Sequence, residues 1–169
     1  MEGVRLDRIE TARLVLRRAS MDDLPAVHAM LSDRDSMRYW SSPPHEELEQ
    51  SREWLVSMVD ADPAESDDFL IERGGEVIGK MGCWRLPTIG FLLRSDCWAK
   101  GYAGEAMDAF LAYIAGRGIA RLDADADPRN AASRGLLQSR GFRETGYAEN
   151  TWLIAGEWCH SVYFALDLQ

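Results

Sequence analysis

Residues 89–107 read IGFLLRSDCWAKGYAGEAM. Ile89–Leu93 is a short apolar run of the kind that fills a central strand, and Met107, Phe110, Tyr113 and Ile114 recur at the spacing of a helix's inner face. That helix is expected to stop at Gly116 or Gly118. Between strand and helix lies Trp98–Glu105, WAKGYAGE, where Gly101 and Gly104 flank Ala103. Small residues let a ligand approach the backbone closely, and the first turn of a helix leaves its N–H groups unpaired. With the positive end of the helix dipole, those donors make an anion site suited to a phosphate or pyrophosphate. The ATP-type loop Gly-x-x-x-x-Gly-Lys-Ser/Thr is absent, and Gly101-Tyr-Ala-Gly104 does not supply the dinucleotide pattern Gly-x-Gly-x-x-Gly. Taken alone, the glycines describe a tight strand-to-helix turn equally well.

Outward from this stretch the elements alternate. Upstream, Thr11–Arg18 predicts a strand with Leu14 and Leu16 on one face. Ser20-Met-Asp-Asp23 is a capping-box-like start to a helix carrying Leu24, Val27, Met30 and Leu31. A second helix is expected after Pro43-Pro44 with Leu48, Leu55 and Val59 buried, then a polar surface loop over Asp60–Asp68. Phe69–Arg73, Gly74-Gly75 and Glu76–Trp84 form a β-hairpin signal. Downstream, Arg121–Ala126 alternates as a strand, Asp127-Pro128 breaks it, Asn130 caps a helix running to Arg140, and Phe142–Leu168 holds one or more strands. The expected fold is a mixed α/β (α+β) arrangement in a single domain over residues 1–169.

Composition narrows the partners. The chain has 169 residues and a formal charge of −9 at pH 7. That acidity argues against nucleic acid, whose binding rests on clustered Lys and Arg, and favours a basic amine or a peptide with a cationic end. Cys83, Cys97 and Cys159 contain no Cys-x-x-Cys pair, and His28, His45 and His160 are scattered, so neither a disulfide framework nor a metal site is expected. The opening MEGVRLDRIE has no apolar h-region and no stretch is long enough to span a bilayer, which predicts a cytoplasmic protein with no membrane partner.

The order of ETARLVLRRASMDDLPAV, GGEVIGKMGCW, IGFLL, WAKGYAGEAM and DPRNAASRGLLQSRGF resembles the GNAT superfamily of acyl-CoA N-acyltransferases, and within it the RimJ/RimL-type branch. The resemblance implies a mostly antiparallel central sheet with flanking helices, in which two central strands, Ile89–Leu93 and Arg121–Ala126, splay apart around the cofactor. It implies acetyl-CoA as co-substrate, with no metal. The loop matching the family's Gln/Arg-x-x-Gly-x-Gly/Ala motif is Trp98, Ala99, Lys100, Gly101, Tyr102, Ala103 and Gly104, with Trp98 departing at the first position. Phe91, Leu92 and Leu93 correspond to the strand that pairs with the pantetheine arm, and Asn130 and Ser133 complete the cofactor side. Lys100 is either a phosphate contact or a solvated lysine.

Direct transfer needs a neutral amine, so its proton must pass to a base or a water chain, and the departing thiolate benefits from a donor. The resemblance assigns that donor role to Ser133, whose other reading is a helix-start cap. The tyrosine that many family members place seven residues after the asparagine is here Leu137, and the glutamate often found before the central strand is here Thr88. Glu149, Glu157 and His160 are candidate bases, each equally readable as a solvated side chain. Glu105 reads as structural, an acid complementing the helix dipole. Tyr39, Trp40, Trp84 and Trp152, with Ser41–His45, mark the acceptor side. The acceptor is an amine-bearing small molecule or a protein N-terminus, and exposed C-terminal aromatics permit a homodimer. A different class of function is a catalytically silent acyl-CoA-binding sensor. A longer acyl chain is a third reading, depending on the space near Trp84 and Leu137.

Overall fold

The computed structural model describes residues 3–169. In chain order the elements are β1 (Arg8–Glu10), β2 (Val15–Arg17), α1 (Leu24–Leu31), α2 (Leu48–Val59), β3 (Asp67–Arg73), β4 (Glu76–Arg85), β5 (Thr88–Leu93), α3 (Tyr102–Ala115), β6 (Arg121–Ala126), α4 (Ala131–Ser139), β7 (Arg143–Ile154) and β8 (Glu157–Asp167). The strands form one eight-stranded sheet in the order β1-β2-β3-β4-β5-β6-β8-β7. Every neighbouring pair is antiparallel except β5 and β6, which are joined through α3 and run parallel. Their only paired residues are Thr88 and Asp123, after which the two strands separate. This is the splay expected between Ile89–Leu93 and Arg121–Ala126.

The pleat sorts side chains between two layers. Leu122, Ala124 and Ala126 of β6 point with Met81 and Ile89 into a core closed by Met107, Phe110 and Ile114 of α3 and Leu137 of α4. On the opposite face, Leu70, Val77 and Leu92 are covered by Val27, Met30 and Leu31 of α1 and Leu55 of α2. The same alternation sends Asp125 away from the α3 core. The Ser20–Asp23 capping box forms as expected and opens a 3-10 turn that leads into α1.

Several expectations are corrected. The first strand is a hairpin: β1 pairs with β2 across a turn closed by the Thr11 N–H donating to the Leu14 carbonyl at 2.9 Å. In α2, Leu48 and Val59 are exposed and the buried face is Ser51 and Leu55. Ser51 is a polar core residue because its hydroxyl meets His28 Nδ1 at 2.7 Å and His45 Nδ1 at 2.8 Å. Asp67 and Asp68 lie in β3 and are buried, not in a surface loop, since Asp67 is paired with Arg18 at 2.8 Å and Asp68 with Lys80 at 2.9 Å. Leu137 sits in the core and leaves the cleft wall to Leu136. Among the described residues no helix is long and apolar enough to cross a membrane.

Candidate active site

The loop between β5 and α3 carries two left-handed residues, Ala99 (φ 59°) and Gly101 (φ 82°), and Gly101 stands at the N-cap of α3. This conformation turns successive backbone N–H groups to one side, a concavity that suits an anion. The Glu105 N–H is used by the Gly101 carbonyl at 3.0 Å, while the amides of Tyr102, Ala103 and Gly104 make no backbone hydrogen bond among the described residues. A Cβ at Gly104 would lie 2.5 Å from Arg140 Nη2, so a larger residue there requires the Arg140 guanidinium to shift. Trp98 holds the loop to the end of β5 through its indole N–H, which donates to the Leu93 carbonyl at 2.8 Å.

Residues far upstream fix the same loop. Arg13 donates from Nη1 to the Lys100 carbonyl at 2.8 Å and from Nε to Glu105 at 2.7 Å. The Glu105 carboxylate also accepts the Thr11 hydroxyl and the Arg13 N–H. Partial burial works to raise the Glu105 carboxyl, but these donors outweigh it and hold it below its ordinary value. The Lys100 ammonium bends back to the Asp96 carbonyl at 3.0 Å and does not line the cleft.

From this loop a cleft of about 1240 Å³ runs through the split between β5 and β6 to the face covered by α1 and α2. Its near part is lined by Phe91, Leu92, Leu93, Trp98, Ala99, Gly101, Tyr102, Ala103, Gly104, Asn130 and Ser133, so all the expected cofactor residues except Lys100 come together. At the start of α4 the cap is made by Asn130, whose side-chain oxygen accepts the Ser133 N–H at 3.1 Å. The Ser133 hydroxyl is thereby released from capping and makes no hydrogen bond among the described residues.

The far part is walled by Tyr39, Trp40, Trp54, Trp84 and Trp152, and contains the carboxyl of Asp125. Asp125 is exposed to the cleft by its surface area, yet the surrounding side chains crowd its carboxyl enough that burial raises it above the ordinary value, offset in part first by its own backbone N–H and then by the Trp152 side chain. His160 also faces the cleft, and its Nδ1 accepts the Asn150 N–H at 2.9 Å. Glu149 is exposed and outside the cleft lining. Glu157 is likewise exposed and outside it, ion-paired with Arg129 at 3.0 Å. Arg129 in turn meets Asp127 at 2.8 Å and lies over the Tyr39 ring, 5.5 Å from its centroid, at the cleft mouth.

Asp125 and Lys80 are the cleft residues that sequence reasoning missed. The alternation of Arg121–Ala126 contained the signal for Asp125, because a carboxylate two residues before the Asp-Pro break sits on the face opposite Ala124. Nothing in Glu76–Trp84 marked Lys80 as buried. Among the described residues no group of His, Cys, Asp and Glu is placed to hold a metal ion.

Comparison with known proteins agrees with this geometry. The family model of the acetyltransferase (GNAT) domain matches residues 13–143. The N-acetyltransferase p20 of Bacillus licheniformis is 26% identical over 151 residues, spanning 83% of this chain and 85% of that protein. An L-methionine sulfoximine/L-methionine sulfone acetyltransferase of Pseudomonas paraeruginosa is 26% identical over 167 residues, 90% of this chain and 94% of its own. In fold, the chain is similar to RimL, a ribosomal L7/L12 alpha-N-protein acetyltransferase solved with coenzyme A. The TM-score is 0.84 at 19% identity, over 95% of this chain and 97% of that one.

Proposed function

The chain belongs to the GNAT acetyltransferase family, and from that premise we propose that it transfers the acetyl group of acetyl-CoA to a primary amine by direct attack. The observation that carries this reading is the continuity of one cleft from a row of free backbone N–H groups at the start of α3, through the β5–β6 split, to the Asp125 carboxyl among aromatic walls. The residues fit the cofactor: the free amides of Tyr102, Ala103 and Gly104 receive the pyrophosphate, and the unpaired edge of β5 receives the pantetheine arm. An arm held at residues 98–104 and laid along β5 would run from Leu93 back towards Thr88, passing Gly90. The thioester supplies the activated acyl group; the chain supplies seat, alignment and proton management.

Asp125, on the acceptor side of the split, takes the proton of the incoming ammonium, a task that suits a carboxyl whose proton affinity has been raised. The Ser133 hydroxyl, released from capping by Asn130, donates to the departing sulfur. Glu149 and Glu157, both exposed and outside the cleft lining, take no part in the transfer. A protein N-terminus is one acceptor class, the one named for the ribosomal-protein acetyltransferases that this chain resembles. A small amine is the other acceptor class, and the open mouth beside Tyr39 admits either. The test is calorimetric titration with acetyl-CoA, CoA and NADH, followed by thiol release over a panel of peptides and small amines. Binding of acetyl-CoA with amine-dependent thiol release is expected. Absence of binding to any CoA species overturns the reading, and binding without thiol release on any amine points to a silent acyl-CoA sensor.

A further inference from the structure

The Lys80 side chain is 2% exposed, yet it belongs to the wall of the cleft. Its Nζ lies 2.9 Å from Asp68 Oδ2 and 3.3 Å from the Gly90 carbonyl of β5. Gly90 has no side chain to screen it: a Cβ there would lie 3.6 Å from the same Nζ. A primary amine therefore stands in the cleft wall, 3.3 Å from a β5 carbonyl on the strand proposed to carry the pantetheine arm.

The sequence sharpens the point. Of 19 basic residues only positions 80 and 100 are lysine, and every other buried or half-buried cation in this region, such as Arg17, Arg18 and Arg117, is arginine. A guanidinium does not deprotonate in a protein, whereas a buried lysine can hand its proton to a neighbour. Here the neighbour is in place.

Resting on the acetyl-CoA reading above, we propose that Lys80 is itself an acetyl acceptor: the protein modifies its own Lys80 Nζ when acetyl-CoA is bound and no external amine occupies the cleft. The ammonium passes one proton to the Asp68 carboxylate. The freed nitrogen lone pair attacks the thioester carbonyl carbon, a C–N bond forms and the C–S bond breaks with its electron pair leaving on sulfur. The second nitrogen proton goes to that thiolate, giving N-acetyl-lysine and CoA, and Asp68 returns its proton to solvent. Burial raises the Asp68 carboxyl above its ordinary value, which favours the first transfer. The product has no charge to offer Asp68 and fills the wall beside Trp84, so modification narrows the acceptor end and limits the enzyme when acceptors are scarce.

The experiment uses the native full-length chain incubated with acetyl-CoA and no amine. It is washed with hydroxylamine to strip any thioester on Cys83, Cys97 or Cys159, then digested with trypsin and weighed. Lys80 falls between Arg73 and Arg85, so acetylation leaves the peptide Gly74–Arg85 uncut and heavier by one acetyl group. Held at the reacting end, Lys80 is expected to be acetylated about tenfold or more in excess of exposed Lys100, and in excess of Lys80 in the heat-unfolded chain. Adding an acceptor amine should suppress it, and Gly101→Asp, which spoils the cofactor seat, should abolish it. Acetyl-CoA that binds and acetylates an added amine while Lys80 stays unmodified, or is modified no faster than Lys100, overturns this inference and leaves the enzyme reading intact. No binding of acetyl-CoA overturns both.

Discussion

Arg13 Nε lies 2.7 Å from Glu105 Oε1, and the Arg13 backbone N–H reaches the other oxygen of the same carboxylate at 2.9 Å. This contact joins the segment between β1 and β2 to the first turn of α3. Because the same guanidinium holds the Lys100 carbonyl, the β5–α3 loop takes its shape from a residue 87 positions upstream. Arg13→Ala should therefore weaken acetyl-CoA binding roughly tenfold, and cost about 1–2 kcal/mol of stability through the lost charged hydrogen bonds. Calorimetry and thermal melting check the two effects. Glu105 is held below its ordinary value, so its contribution is complete above the unfolded carboxyl's titration and is lost as pH falls through the folded value. Glu105→Gln should flatten that acid limb.

Gly101 adopts φ 82°, and a Cβ there would approach Arg13 Nη2 at 3.2 Å. Gly101→Ala should be tolerated at about 1 kcal/mol of backbone strain. Gly101→Asp places a carboxylate at the seat proposed for the pyrophosphate, and CoA binding should vanish while the chain stays folded by circular dichroism. Unchanged affinity in the folded Asp variant would remove the loop from cofactor binding.

Asp125→Asn should lower kcat/KM for the amine by about 10²–10⁴-fold with little change in acetyl-CoA affinity, since the amide cannot accept a proton. The pH profile separates a base from a merely structural carboxyl. Only the carboxylate form accepts a proton, and burial raises its titration, so the rate should fall with acidification starting above the ordinary carboxylate range. The variant should lack that limb. If the limb persists in Asp125→Asn, the base is elsewhere.

Ser133→Ala removes a hydroxyl that the fold does not use, because Asn130 makes the cap. Stability should be unchanged within about 0.5 kcal/mol, as for a substitution that breaks no folded contact. Turnover should drop while the CoA dissociation constant stays fixed. Asn130→Ala is the contrasting variant: loss of the N-cap should cost about 1 kcal/mol. Equal turnover in wild type and Ser133→Ala would take the serine out of the reaction.

The sequence by itself determined the order of elements from α1 to α4, the strand-to-helix loop with its glycines and the Asn130 cap. These depend on contacts within a few residues: Gly at φ 82° or a side chain capping three residues on is written locally. The splay of β5 from β6 was legible only through family resemblance, since no local pattern states where two strands stop pairing. Tertiary structure alone decided the polar interior. Asp67 and Asp68 look like loop residues until Arg18, just past β2, and Lys80 of β4 arrive to neutralise them. His28 and His45 look scattered until Ser51 brings them together. The far end of the cleft was hidden for the same reason: Asp125 becomes a candidate base only when the fold sets it, still open to solvent, beside Trp84 and Trp152, whose crowding raises its carboxyl. Burial of a charge depends on who its neighbours are in space, and that is the information a linear pattern does not carry.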